Sequence, residues 1–298
     1  MSQAPDTIVF GGSGFLGSHI ADALSDKGHR VTVFDRAPSP WLRPDQSLIQ
    51  GDILDREQVG KAVAGKDYVY HLAGIADIGQ SSREPLETIQ HNVIGSSNII
   101  DAAAEADVSR LLFASSLYVY TDKGSFYRVS KQAVEAVLEA YNQQSGLEYT
   151  ILRYGSLYGP RAQDWNGLRS IVKQAIRGGD FTYPGTGEER REYIHVADAA
   201  SLSVDALSSE YANKCLTVSG ITTLTIKEVL EIIKEVSGKD TDIRFSPSGD
   251  EYASSHYSMT PYRYTPKRAH KVVPSVFVDF GQGILELIEE IDHQENGH

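Results

Sequence analysis

In "LLFASSLYVYTDKGSFYRVSK" (residues 111–131) a buried-strand pattern runs out at Ser115 and Ser116, and Tyr127 and Lys131 follow four residues apart. On a helix, positions i and i+4 share a face, so the phenol and the ammonium point the same way. A free tyrosine ionises near pH ~10, and bringing it to ~7 takes about 4 kcal/mol of differential stabilisation. A neighbouring cation supplies stabilisation of that sign. The pair could handle a proton, or it could be two polar residues on a solvated helix face in a chain with 16 tyrosines. The surrounding sequence decides between them.

Near the N-terminus, "VFGGSGFLGSHIADAL" carries Gly12-x-Gly14-x-x-Gly17 and Gly11-x-x-Gly14-x-x-Gly17 between a strand and a helix. Residues without Cβ allow a tight turn, close approach of backbone N–H groups to a pyrophosphate, and close helix–strand packing. The helix N-terminus adds partial positive charge. Asp35 ends the next strand 18 residues after Gly17, near the spacing of a carboxylate that grips an adenosine ribose diol. That carboxylate repels a 2′-phosphate, so the pattern points to NAD rather than NADP, although Arg36 stands beside it. Asp52, in "QGDIL", is placed to accept a bond from the adenine amino group.

These residues need a scaffold, and the chain spells one. "TIVFGG" (7–12), "RVTVFD" (30–35), "SLIQG" (47–51), "YVYHLAG" (68–74), "RLLFASS" (110–116) and "YTILRY" (149–154) read as strands. Most lack polar alternation, as expected of parallel strands covered on both faces. Helical stretches separate them: 14–28, ending on Gly28; 55–65, with an acidic start; a long amphipathic helix over 85–106; and 127–146, ending on Gly146. Alternation of this kind predicts an α/β fold, a doubly wound parallel Rossmann sheet. After residue 156 the rhythm changes. A helix is expected at 167–178, a strand–helix pair over 192–207, a strand over 215–220, a helix over 225–238, a loop over 246–266 and a last helix near 280–291. The organisation expected is an NAD-binding domain over 1–156, to which the chain returns near 192–220, with a smaller, interleaved substrate-binding cap drawn mostly from 157–298.

Bulk properties restrict the partners. The net charge is −12, and no basic cluster appears, which disfavours nucleic acid. The single cysteine, Cys215, excludes an intrachain disulfide and fits a reducing, cytoplasmic setting. No apolar run approaches the ~18 residues of a membrane span, and "MSQAPDTIVF" lacks a signal pattern. No cluster of His, Cys and carboxylates has metal-ligand spacing. His71, ending a strand, reads as structural.

Taken in order, "GGSGFLGSHI", "FD" (34–35), "GDI" (51–53), "HLAG" (71–74), "HNVIGS" (91–96), "ASSLYVY" (114–120), "YRVSK" (127–131), "LRYGSLYGPR" (152–161) and "REYIHVADAA" (191–200) resemble the extended short-chain dehydrogenase/reductase family, in its sugar-nucleotide epimerase/dehydratase branch. The resemblance implies Tyr127 as acid/base, Lys131 as its partner and ribose ligand, and Ser116 as donor to the reacting oxygen. It implies NAD contacts from Gly11, Gly14, Phe15, Leu16, Gly17, Asp35, Arg36, Asp52, Ile53, Leu72, Ala73, Gly74, Asn92 and Tyr154, besides Tyr127 and Lys131. Substrate contacts follow from Ser81, Ser82, Ser116, Ser156 and Arg191. Arg263, with no clear family motif around it, is read separately as a second phosphate contact. Arg190 is an alternative to Arg191, while His195 and Asp198 read as a strand-end histidine and a helix-capping aspartate. A homodimer through 85–106 and 127–145 is implied as well.

Two departures stand out. Ten residues separate Ser116 from Tyr127, fewer than the family usually has, and Ser156 stands where Asn is frequent. Family dehydratases place Asp-Glu after the Ser/Thr, and decarboxylating members place Glu nearby. This chain has Leu117 and Tyr118, which offer no carboxyl group. Tyr118 and Tyr120, by strand alternation, are expected on one side. The reading is an NAD-dependent 4-epimerisation of a nucleotide-diphosphate sugar of the UDP-hexose type. A ketosugar reductase using NAD(P)H and a non-catalytic nucleotide-binding protein of the same fold are the alternatives.

Overall fold

The structure, a computed structural model, describes residues 4–177, 181–238, 242–246, 256 and 258–261. Arg263 and the expected helix near 280–291 lie outside these residues, as does most of the 246–266 stretch.

The chain runs β1 (Asp6–Phe10), α1 (Phe15–Asp26), β2 (Arg30–Asp35), β3 (Gln46–Gln50), α2 (Arg56–Val63) and β4 (Tyr68–His71). It continues through α3 (Ile78–Arg83), α4 (Pro85–Ile89), a π-helical turn (Gln90–Gly95), α5 (Ser96–Glu105) and β5 (Arg110–Ser116). After a 3-10 turn (Leu117–Tyr120) come α6 (Ser125–Ser145), β6 (Tyr149–Tyr154), β7 (Ser156–Tyr158), α7 (Gly167–Arg177), β8 (Phe181–Tyr183) and β9 (Arg190–His195). α8 (Val196–Asp205), β10 (Lys214–Val218), β11 (Thr223–Thr225), α9 (Ile226–Ser237) and β12 (Ile243–Phe245) complete the order.

Seven strands form one parallel sheet in the order β10-β6-β5-β4-β1-β2-β3. The near-continuous apolar runs are explained by burial on both faces. Ile8, Phe10, Leu111, Phe113 and Ile151 point into a core with α2, α5 and α6. Their neighbours Val9, Leu112 and Leu152 point into a second core with α1 and α8. Each such side chain contributes roughly 1.5–3 kcal/mol on burial. The strand order reverses between β1 and β4, and in open α/β sheets ligands bind in the crevice beyond such a switch point. Two small sheets follow β6: β11-β9-β7, and β12-β8.

The helix expected over 85–106 is interrupted. Gln90–Gly95 takes a wider π turn, with the Ser96 and Ser97 hydroxyls donating to the carbonyls of Asn92 and Val93. Ile53 packs so closely on Gly95 that a Cβ there would lie 2.6 Å from its Cδ1. The stretch after Ser116 is also not a strand. It winds with a period near three, so Tyr118 and Tyr120 part company instead of sharing a side.

Candidate active site

At the switch point lies a cavity of about 510 Å³, walled by the β1–α1 loop, the ends of β2, β4, β5 and β6, and the start of α6. The glycine loop shapes one end. Gly11 sits at φ +80°, and a Cβ there would stand 2.6 Å from the Ala73 nitrogen. A Cβ on Gly17 would overlap the Gly11 carbonyl. Gly14 caps α1 without a side-chain hydrogen bond, which leaves first-turn N–H groups for an anion. This cradle, walled by backbone, fits a dinucleotide pyrophosphate.

Asp35 is fixed beside it. One carboxylate oxygen accepts the Ser13 N–H at 3.0 Å and the other the Ala37 N–H at 3.1 Å. Both oxygens keep lone pairs for a ribose diol. Arg36 also lines the cavity, with Nη1 3.4 Å from His91 Nε2. Phe15, Leu16, Ile53, Leu72, Ala73, Gly74 and Tyr154 line the same cavity.

At the other end, Ser116, Tyr127 and Lys131 face the cavity together. Ser116 is the last residue of β5, and its Oγ accepts the Tyr118 N–H at 3.3 Å, which leaves the hydroxyl proton to donate elsewhere. Lys131 is buried; its Nζ donates to the Ala114 carbonyl at 2.8 Å and lies 5.7 Å from the Tyr127 ring centre. Burial lowers the Lys131 pKa to about 8, against the opposing pull of Glu135.

The short Ser116–Tyr127 connection works through Gly124 at φ +87°, where a Cβ would lie 2.7 Å from the Tyr118 ring. Tyr118 lines the cavity, packs edge-to-face on Tyr127 with centroids 6.2 Å apart, and hydrogen-bonds His256 Nδ1 at 2.7 Å. Tyr120 turns the other way and accepts from Arg153 Nη1 at 2.6 Å.

Other expected residues lie away from the cavity wall. Asn92 is buried and clamps the loop after β4. Its Oδ1 accepts the Ile75 N–H at 2.7 Å, and its Nδ2 donates to the Ile75 carbonyl and to Ser130 Oγ. Asp52 borders an adjoining depression with Arg36 and Gly51, and its carboxylate accepts the Leu54 N–H at 2.9 Å. Ser81 is fully buried, while the Ser82 hydroxyl donates to the Ile78 carbonyl. Ser156 opens β7, and Arg191 is buried on β9 with Nη1 donating to the Arg190 carbonyl. His195 caps α8 through Nδ1, and Asp198 sits in that helix's first turn. His71 is fully buried; its Nε2 bonds Ser96 Oγ at 2.7 Å, and burial pulls its pKa down to about 3. Among the described residues no group of three His, Cys, Asp or Glu could hold a metal.

The residues that sequence reasoning missed lie under Lys131. Glu135 accepts from Ser115 Oγ at 2.5 Å and from two Arg153 nitrogens at 3.0 and 2.6 Å. A signal existed, since Tyr127, Lys131 and Glu135 repeat at i, i+4 and i+8 on one helix face.

The sequence profile of the NAD dependent epimerase/dehydratase family matches residues 7–215. The chain belongs to that family. NAD is therefore its cofactor, in keeping with the cradle at Gly11–Gly17. Among family relatives, the UDP-N-acetyl-alpha-D-glucosaminuronate decarboxylase of Bacillus cytotoxicus is 28% identical over 97% of this chain and 98% of its own length. The Thermotoga maritima UDP-glucose 4-epimerase, solved with UDP-glucose, superposes at a TM-score of 0.79 with 26% identity, covering 87% of this chain and 90% of that one. The Thermus thermophilus UDP-glucose 4-epimerase, solved with NAD, gives 0.73 and 27%, covering 82% and 88%.

Proposed function

We propose that this family member interconverts a nucleotide-diphosphate sugar and its C4 epimer, with a UDP-hexose as the substrate class. The observation that carries the reading is the convergence of Ser116, Tyr127 and Lys131 on the cavity that begins at the glycine cradle. NAD, when bound, supplies the reversible hydride acceptance that inversion at C4 needs. Tyr127 takes the proton of the C4 hydroxyl and later returns it, so one phenol serves as base and acid. Lys131 stabilises its phenolate, and the Ser116 hydroxyl donates to the same sugar oxygen. Leu117 and Tyr118 follow Ser116, and neither has the carboxyl group that loss of water or of CO₂ from the sugar would use. Arg191, together with Arg263, is the proposed diphosphate contact, in a sugar-nucleotide cap drawn mostly from 157–298. Ser156 from that cap, and Ser81 and Ser82 from α3, are proposed to act on the sugar side, and Asn92 and Asp52 on the cofactor side.

The exposed side chains Leu86, Ile94, Phe126 and Val129, all from the 85–106 and 125–145 segments, support a homodimer through those helices. The lone Cys215 supports a reducing, cytoplasmic setting. None of the described helices is long and apolar enough to cross a membrane.

The experiment is incubation with UDP-, GDP- and dTDP-sugars and catalytic NAD. C4 epimers without net NADH are expected. Stoichiometric loss of added NAD(P)H would indicate the reductase, and CO₂ from a UDP-uronate would indicate the activity named for the Bacillus relative. No turnover of any sugar would leave a nucleotide-binding protein.

A further inference from the structure

Beneath the proton-handling pair lies a buried ion pair that the reaction as written above does not use. Glu135 follows Lys131 by one helical turn on the inner face of α6, and both are nearly inaccessible to solvent. Its carboxylate is held from two elements. Arg153 on β6 donates two hydrogen bonds to it, Ser115 near the end of β5 donates a third, and the same guanidinium reaches Tyr120 at the end of the 3-10 turn. Ser115 precedes Ser116, and the 3-10 turn carries Tyr118. One carboxylate thus ties together the two segments that frame the reacting centre and lies one turn behind Lys131.

A buried Arg–Glu pair bound this tightly could serve the fold alone. Its position argues for more. Lys131 donates to a neutral carbonyl, Ala114, and packs over the Phe113 ring at 4.8 Å. Tyr127 and Glu135 face it from its own helix, His71 faces it from β4, and Arg153 stands behind Glu135 on β6. His71 is neutral throughout the physiological range. Glu135 is therefore the anion that opposes the loss of the Lys131 charge on burial.

We propose that Glu135 is a positioning residue, which keeps Lys131 in its ammonium form and aligns the end of β5, while Arg153 sets how much of the Glu135 charge Lys131 feels. The proposal rests on the reading of Tyr127 and Lys131 as the proton-handling pair. A purely structural ion pair would be indifferent to which partner is neutralised. The proposed arrangement is not, because removing the anion and removing its cationic partner act on Lys131 in opposite directions.

The test follows the Lys131 titration by NMR of the ¹³C-lysine-labelled protein, with the resonance assigned through Lys131→Arg. The wild-type midpoint is expected at about 8. Glu135→Gln should lower it by roughly one unit, and Arg153→Gln should raise it. Glu135→Gln strands a buried guanidinium at a cost in stability, so the double variant Glu135→Gln/Arg153→Gln is also compared with Arg153→Gln alone. There the midpoint should be lower in the double variant. An unmoved midpoint, or single variants that shift the same way, would overturn the proposal. The sugar reading fails separately. Midpoints that move as stated in a protein without turnover leave Glu135 in its role, whereas turnover with unmoved midpoints removes it.

Discussion

The Lys131 ammonium lies 5.7 Å from the centre of the Tyr127 ring and is pinned to the end of β5 by its 2.8 Å bond to the Ala114 carbonyl. Burial brings its pKa to about 8, so the help to the phenolate proposed for it is present below that pH and fades above it. The turnover rate is expected to fall on the alkaline side with a midpoint near 8. Stability moves the other way. Between about 8 and the unfolded value near ~10.4, the unfolded chain holds a proton that the folded one has released, so this group's contribution to stability rises with pH. Thermal unfolding of the wild type and of Lys131→Met across that range checks the sign: any advantage of the Met variant should shrink as pH rises.

Cofactor choice should follow Asp35, whose two oxygens are fixed by the Ser13 and Ala37 N–H groups. Asp35→Ser removes the charge that repels a 2′-phosphate and leaves Arg36 to attract it. The ratio of NADP to NAD affinity should rise at least about tenfold, equivalent to ~1.4 kcal/mol. Fluorescence titration with each dinucleotide gives the ratio, and an unchanged value would remove Asp35 as the selector.

The exposed apolar side chains of the 85–106 and 125–145 segments set up a third expectation. Leu86 is 84% exposed, and Phe126 and Val129 are about two-fifths exposed. The wild type should sediment as a dimer, and Leu86→Glu/Phe126→Glu as a folded monomer. A wild type that stays monomeric at micromolar concentration would rule this face out.

How far the sequence spoke depended on whether a feature is local. The glycine loop, the strands around it and the shared face of Tyr127 and Lys131 follow from spacing along the backbone, and the structure brings these residues to one cavity. Side-chain destinations that depend on distant partners were hidden. Asn92 is turned to Ile75 by a π turn that helical periodicity does not reveal. Tyr118 and Tyr120 separate because the chain closes a 3-10 turn after Ser116, where the β-rich run "LYVY" suggested strand alternation. Glu135 carried a legible spacing, but its importance depends on Arg153, 18 residues further on in β6.

The most direct test of the central claim replaces Tyr127 by Phe and measures C4 epimerisation and NAD affinity on the same preparation. Phe keeps the ring that packs on Tyr118 and deletes the hydroxyl alone. Epimerisation should fall by at least about 100-fold, the scale of a lost acid/base group, while NAD affinity changes by only a few-fold. Retention of near wild-type turnover in that variant would contradict the account.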